Sequence, residues 1–173
     1  MRVLVIVLAA ICFAASPAFA EDWHVGAAPS DDPEMPAATI SNEDGAVLYM
    51  WSRHVDNRFQ VFAEFHLAEG QSFGDDMPLY WIDGSPPVDT DEIRREGDEA
   101  GTVWGHVGDT VALWLVWTSI QDKVLPSDRL HDWFTGQELV ISYKDAEGNA
   151  HTARFALAGS KPAILAATEL KSQ

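Results

Sequence analysis

Apolar and polar positions along this chain alternate mainly with a period of two. The clearest stretch is 59–67. Phe59, Val61, Ala63, Phe65 and Leu67 interleave with Gln60, Phe62, Glu64 and His66, giving a strand with one apolar and one mostly polar face. Asp56-Asn57 supplies a turn back to Val47–Arg53, and Asn42-Glu43-Asp44-Gly45 joins that segment to Ala37–Ile40 as a second hairpin. The stretch from Val103 to Ser119 reads differently. From Val111 to Trp117 it is apolar on both alternating faces, which predicts a strand buried on both sides with the thinner strands packed against it.

The remaining elements follow from punctuation. Leu79–Ile82 is a short strand closed by Asp83-Gly84-Ser85-Pro86-Pro87, and Gly108-Asp109 is a two-residue turn joining Thr102–Val107 to Thr110–Thr118. Ser127 caps a short helix over Asp128–Phe134, stopped by Gly136. Glu138–Lys144 and Ala150–Ala158 form a last hairpin. Ser160 then caps an alanine-rich helix over Lys161–Leu170 with Pro162 at an early position. The pattern predicts an all-β fold, an antiparallel sandwich or barrel of about eight strands with two short helices, one of them C-terminal.

The ends of the chain change the picture. Residues 1–20 carry Arg2, an apolar core over Val3–Ala15 and the small-x-small site Ala18-Phe19-Ala20, the pattern of a cleaved secretory signal. The expected organisation is therefore a signal peptide at 1–20, an extended N-terminal arm at 21–36 pinned at Trp23, and a single β-rich domain at 37–173. The location expected is periplasmic or secreted, with no membrane anchor after cleavage. Cys12 is the only cysteine and lies in the signal. The exported domain thus has no disulfide and no thiolate chemistry, and burial of its aromatic rings must hold it together.

Charge narrows the partners. With 11 basic and 27 acidic residues the formal net charge is −16, which repels phosphate backbones and disfavours nucleic acid and anionic membranes. It favours a basic protein or peptide, polyamines or divalent cations; the alternative is that acidity only confers solubility. No serine lies in a G-x-S-x-G elbow. The six histidines, His24, His54, His66, His106, His131 and His151, show no metal-ligand spacing, so neither a metal nor another cofactor is expected. Asp89-Thr90-Asp91-Glu92 begins like a calcium loop, then breaks at Ile93 and Arg94; the acidic stretch Val88–Gly101 reads as a surface loop or short exposed helix. Rings beside polar groups supply the remaining candidates: Tyr80, Trp81 and Asp83; Trp104 with His106; and Trp133 beside His131 and Asp132. The binding candidates are thus Tyr80, Trp81, Asp83, Trp104, His106, Asp89, Asp91 and Glu92.

The carboxy-terminal region adds a resemblance. Gly136-x-Glu138-Leu139-x-Ile141, followed by Phe155-x-Leu157-x-Gly159-Ser160-x-x-Ala163-Ile164, resembles the tail of small exported bacterial proteins of the invasion-associated locus B type. The likeness covers about the last forty positions and includes a mature start near a tryptophan, here Trp23. The cysteines those proteins usually carry are absent here. The resemblance implies a β-rich periplasmic or surface-associated protein with a terminal helix and no catalytic residues to carry over. The function expected is a non-catalytic exported interaction module with an acidic surface that binds a basic protein or envelope partner. The alternative is a β domain binding a small ligand, glycan or divalent cation, and a carboxylate-based hydrolase ranks third.

Overall fold

Alternation and turn residues build the chain as the sequence predicts, into short antiparallel strands. The computed structural model describes residues 22–30, 32, 34–55, 58–89, 103–116, 119–120, 123–124, 128–168 and 170. Its elements are β1 (His24–Ala27), β2 (Pro36–Ser41), β3 (Val47–Val55), β4 (Arg58–His66), β5 (Leu79–Ile82), β6 (Val88–Asp89) and β7 (Val103–Val107). There follow β8 (Thr110–Val116), β9 (Ser119–Ile120), β10 (Lys123–Val124), α1 (Asp128–Thr135), β11 (Glu138–Lys144), β12 (Ala150–Ala156) and α2 (Ser160–Ala167).

Two sheets face each other. The larger has the order β1-β2-β3-β4-β8-β7 and the smaller β12-β11-β5-β6, while β9 and β10 pair as a separate ribbon. All the pairings are antiparallel, and the sheets stay open, so the architecture is a sandwich and not a barrel. The inner faces meet through Ile40, Leu48, Met50, Val61, Phe65, Val111, Leu139, Ile141 and Phe155, all almost fully buried. Leu130 and Trp133 of α1 and Ala163, Ile164 and Ala167 of α2 close the same core, with α2 packed against β1, β2 and β3.

Three features depart from the sequence reading. The middle of the large sheet is the β3–β4 hairpin; β8, the expected organising strand, lies second from the edge between β4 and β7. An apolar run reports burial but not which neighbours supply it. Within the expected N-terminal arm, His24–Ala27 is an edge strand paired with β2, although its start is pinned at Trp23 as expected, the indole N–H donating to the Ala156 carbonyl at 2.7 Å. Ser160 does not cap α2. Gly159, at φ +84°, occupies the cap without a side-chain bond, and the Ser160 hydroxyl donates instead to the Trp133 carbonyl at 2.8 Å, tying the two helices.

Gly136 ends α1 for a steric reason. A β-carbon there would lie inside hard contact of Ile82 Cγ2, 2.8 Å from the Asp132 carbonyl oxygen and 3.1 Å from Leu157 Cδ1. The helix can meet β5 and the strand-to-helix corner only with hydrogen at that position. Gly136→Ala should therefore destabilise the fold by about 1–3 kcal/mol through overpacking, read as a lower urea midpoint with an unchanged slope.

Candidate interaction site

Turns that are far apart in sequence converge at one end of the sandwich. Val47 pairs with His66, His66 with Thr110 and Thr110 with Val107, so loops 42–46 and 67–76 and the Gly108-Asp109 turn share that end. The β11–β12 turn joins them through a Phe73–Asp145 bridge, a Gly74 N–H to Lys144 carbonyl bond of 2.9 Å and an Ala146 N–H to Ser72 carbonyl bond of 3.0 Å. Leu67 and Phe73 donate to the carbonyls of Asp109 and Gly108, both at 2.8 Å. Eight carboxylates sit in these four loops: Glu43, Asp44, Glu69, Asp75, Asp76, Asp109, Asp145 and Glu147. The loops hold no lysine or arginine; Lys144, at their border, is paired with Asp76 at 2.5 Å.

The electrostatics of this end register in its neighbours. The Tyr143 hydroxyl is pushed above its ordinary value, first by burial and then by the nearby charges of Asp44 and Asp145. Asp145 is held well below the usual carboxylate range, chiefly by His151, whose Nε2 lies 2.7 Å away, then by the Asn149 side-chain amide at 2.9 Å. The backbone amides of Asn149 (2.8 Å) and Glu147 (3.0 Å) add to this, and the His151 ring stacks on Tyr143 with centroids 5.3 Å apart.

A second imidazole lies on the outer face of β4. Its Nε2 is 3.1 Å from Glu64 Oε2 and its Nδ1 is 3.2 Å from Thr110 Oγ1, with the Tyr49 ring edge-on at 5.0 Å. This residue, His66, thus has a carboxylate on one side and a hydroxyl on the other. The Thr110 hydroxyl directs its single hydrogen to Asp109 Oδ1 at 3.0 Å, so the chain Glu64–His66–Thr110–Asp109 braces two strands and a turn.

Of the binding candidates read from sequence, Tyr80, Trp81 and Asp83 have described side chains, and these take three different roles. Tyr80 is 5% exposed and belongs to the core, whereas Trp81, its chain neighbour, is half-buried on the opposite face of β5, across from Val140. Asp83, in the left-handed region at φ +51°, turns its carboxylate to the backbone amides of Gln137 (2.9 and 3.1 Å) and Glu138 (2.9 Å), fixing the start of β11. Trp104 lies at a β-bulge between Val103 and Gly105, and His106 pairs in register with Val111. Asp89 pairs with Leu79 through the backbone. The side chains of Asp89, Trp104 and His106, and all of Asp91 and Glu92, lie outside the described residues. Trp133 is fully buried.

One feature escaped the sequence reading. The outer face of the large sheet carries a small apolar cluster of Ala28, Ala37, Trp51 and Phe62, with Met35 and Tyr49 against it. The Trp51 and Phe62 rings stack at 5.3 Å, and the Arg53 guanidinium lies 4.4 Å from the Phe62 centroid. The Trp51 indole N–H and the Thr39 hydroxyl are buried here without a hydrogen-bond partner. Phe62 interrupts an otherwise polar outer face of β4, and the β3–β4 register places Trp51 opposite it.

No family model, curated protein or solved structure matches this chain. Among the described residues no three carboxylate, imidazole or thiol side chains are grouped to hold a metal ion, and no helix is long and apolar enough to cross a membrane.

Two variants test this geometry. Asp83→Ala removes the carboxylate that accepts from the Gln137 and Glu138 amides and should cost about 1–3 kcal/mol of stability, measurable by chemical denaturation. Asp145 is lowered from 3.8 on folding, so its contribution is complete above that value and is lost as pH falls below it. Thermal midpoints should therefore decline below about pH 4 in the wild type. In Asp145→Asn they should start lower and decline less steeply over the same range.

Proposed function

We propose that this protein is an exported, non-catalytic interaction module whose acidic loop end docks a basic protein or peptide. The observation that carries the reading is the convergence of eight carboxylates in four loops that contain no basic residue. A one-sided field of this kind raises the rate of encounter with a cationic surface and repels anionic ones. The signal-like residues 1–20 and the carboxy-terminal resemblance to exported envelope proteins support placing it in the periplasm or outside the cell. Loops on a rigid sandwich are also where binding residues usually sit.

A second reading, a small-ligand-binding β domain, draws support from the outer-face cluster. A buried indole N–H and hydroxyl without partners would accept a ligand carrying a hydrogen-bond acceptor beside an apolar body.

The first reading is tested by affinity capture from cell-envelope extract at low and high salt, followed by titration of the captured protein. A saturable basic partner that is released as salt rises is expected, because exposed charge contacts are screened. Glu69→Lys/Glu147→Lys at the loop end should weaken that partner about tenfold, whereas Asp132→Lys, on α1, should leave it nearly unchanged. Equal loss in both variants, or no basic partner at either salt, would defeat the reading.

A further inference from the structure

The hydrogen-bond register of β1 shows which of its backbone groups are in use. The Ala28 N–H donates to the Met35 carbonyl at 2.7 Å, one step beyond the Ala27↔Pro36 pair. In an antiparallel ladder bonded and non-bonded pairs alternate. Gly26↔Ala37 and His24↔Thr39 are therefore the bonded pairs, and Val25↔Ala38 and Ala27↔Pro36 are the non-bonded ones. Pro36, which has no N–H, fits that placement. The N–H and C=O groups of Val25 and Ala27 consequently point away from β2, off the open edge of the sheet, and none of the four bonds to a described residue.

Among the described residues this edge lacks the usual protection. Strands left open are normally guarded by a charge, a proline, a bulge or a covering segment. His24–Ala27 contains no proline, lysine, arginine or carboxylate, and its register with β2 runs without a shift. His24, Val25 and Ala27 are exposed, and Val25, at 48%, is one of two large apolar side chains among the described residues that are. The opposite edge strand, β7, does carry a bulge. The open edge is also held firmly. Trp23 is anchored on Ala156, Ala28 on Met35, and α2 backs the strand. Exposed acids stand at both ends, Asp22 before the strand and Asp32 and Glu34 after it.

We propose that the free edge of β1 receives an extended segment of a basic partner as a seventh strand of the large sheet. Reciprocal bonds to Val25 and Ala27 would fix the added backbone, Val25 would meet an apolar side chain, and lysine or arginine at the ends of the segment would face Asp22 on one side and Asp32 and Glu34 on the other. A segment of about six residues, spanning roughly 20 Å, covers the site. A second copy of this chain is a poorer occupant, because the same acids would face each other in a molecule of net charge −16. The inference rests on the reading of a basic partner but assigns that partner a backbone-directed site on the edge of the large sheet.

The test is an NMR titration of the protein with the peptide Ac-KVTVTK-NH2, with the same peptide N-methylated on its alternate backbone amides, and with Ac-EVTVTE-NH2. The basic peptide should shift the Val25 and Ala27 amides and slow their hydrogen exchange. N-methylation should weaken it at least tenfold, and the acidic peptide should leave these amides unmoved. Val25→Pro removes an outward N–H that β2 does not use and should abolish the effect; Val25→Lys, which leaves the backbone unaltered, should weaken it. Equal binding of the N-methylated peptide, with shifts confined to loops 42–46, 67–76, 108–109 and 145–149, would overturn the strand site while leaving the acidic end as the docking surface. Concentration-dependent shifts of Val25 and Ala27 without peptide would overturn it in favour of self-association. Equal response to the acidic peptide would overturn the charge assignment, and no shift with any peptide would overturn both this inference and the reading it rests on.

Discussion

The loop end of this sandwich must stay closed against the mutual repulsion of its own carboxylates, and Phe65 is what the closure depends on. Its fully buried ring, from the large sheet, meets Phe73 of the intervening loop at 5.7 Å and Tyr143 and Phe155 of the small sheet at 5.7 and 5.9 Å, all edge-on. Phe73 and Tyr143 complete the cluster at 5.3 Å. Each such pair is worth about 0.5–1.5 kcal/mol beyond its buried area, whereas repulsion between exposed charges is weakened by water and salt. With Cys12 as the only cysteine, no internal disulfide can share the load. The four acidic loops are thus displayed on an apolar clamp, and the backbones of three of them, 67–76, 108–109 and 145–149, are cross-tied above it.

Local chemistry made the hairpins legible. The turns at Asn42–Gly45, Gly108-Asp109 and Asp145–Asn149 fall where the punctuating residues stand, and even cross-strand partners such as His54↔Phe59 and His106↔Val111 follow from counting back across a turn. Pairings between distant segments were not legible. Nothing local says that β4 takes β8 as its neighbour or that β11 takes β5, and those two pairings decide which strand is central and which turns share an end. β1 escaped because four residues, His-Val-Gly-Ala, are too few for a periodic signal. Closeness in sequence says equally little about which side chains share a face. Tyr80, Trp81 and Asp83 are close in sequence, but strand alternation sends the first two to opposite faces and a left-handed turn commits the third to backbone amides.

The distribution of acids bears on whether charge here serves folding or recognition. Part of it serves folding. Asp145 closes its turn by accepting amides two and four residues on, and Asn42 does the same in its own loop, for the amides of Asp44 at 3.1 Å and Ala46 at 2.9 Å. Short side chains suit that task because they reach back to the local backbone. Glutamate, one methylene longer, has no comparable preference in turns. Glu43, Glu69 and Glu147 nevertheless occupy turn positions at the loop end, beside Asp44 and Asp145 that already raise the Tyr143 hydroxyl. Turn chemistry therefore leaves these three charges unexplained. General solubility would be served as well by charges spread over the surface, without the local repulsion. Among the described residues, eight carboxylates gathered in loops at one end are the feature on which the proposal of a cationic partner rests.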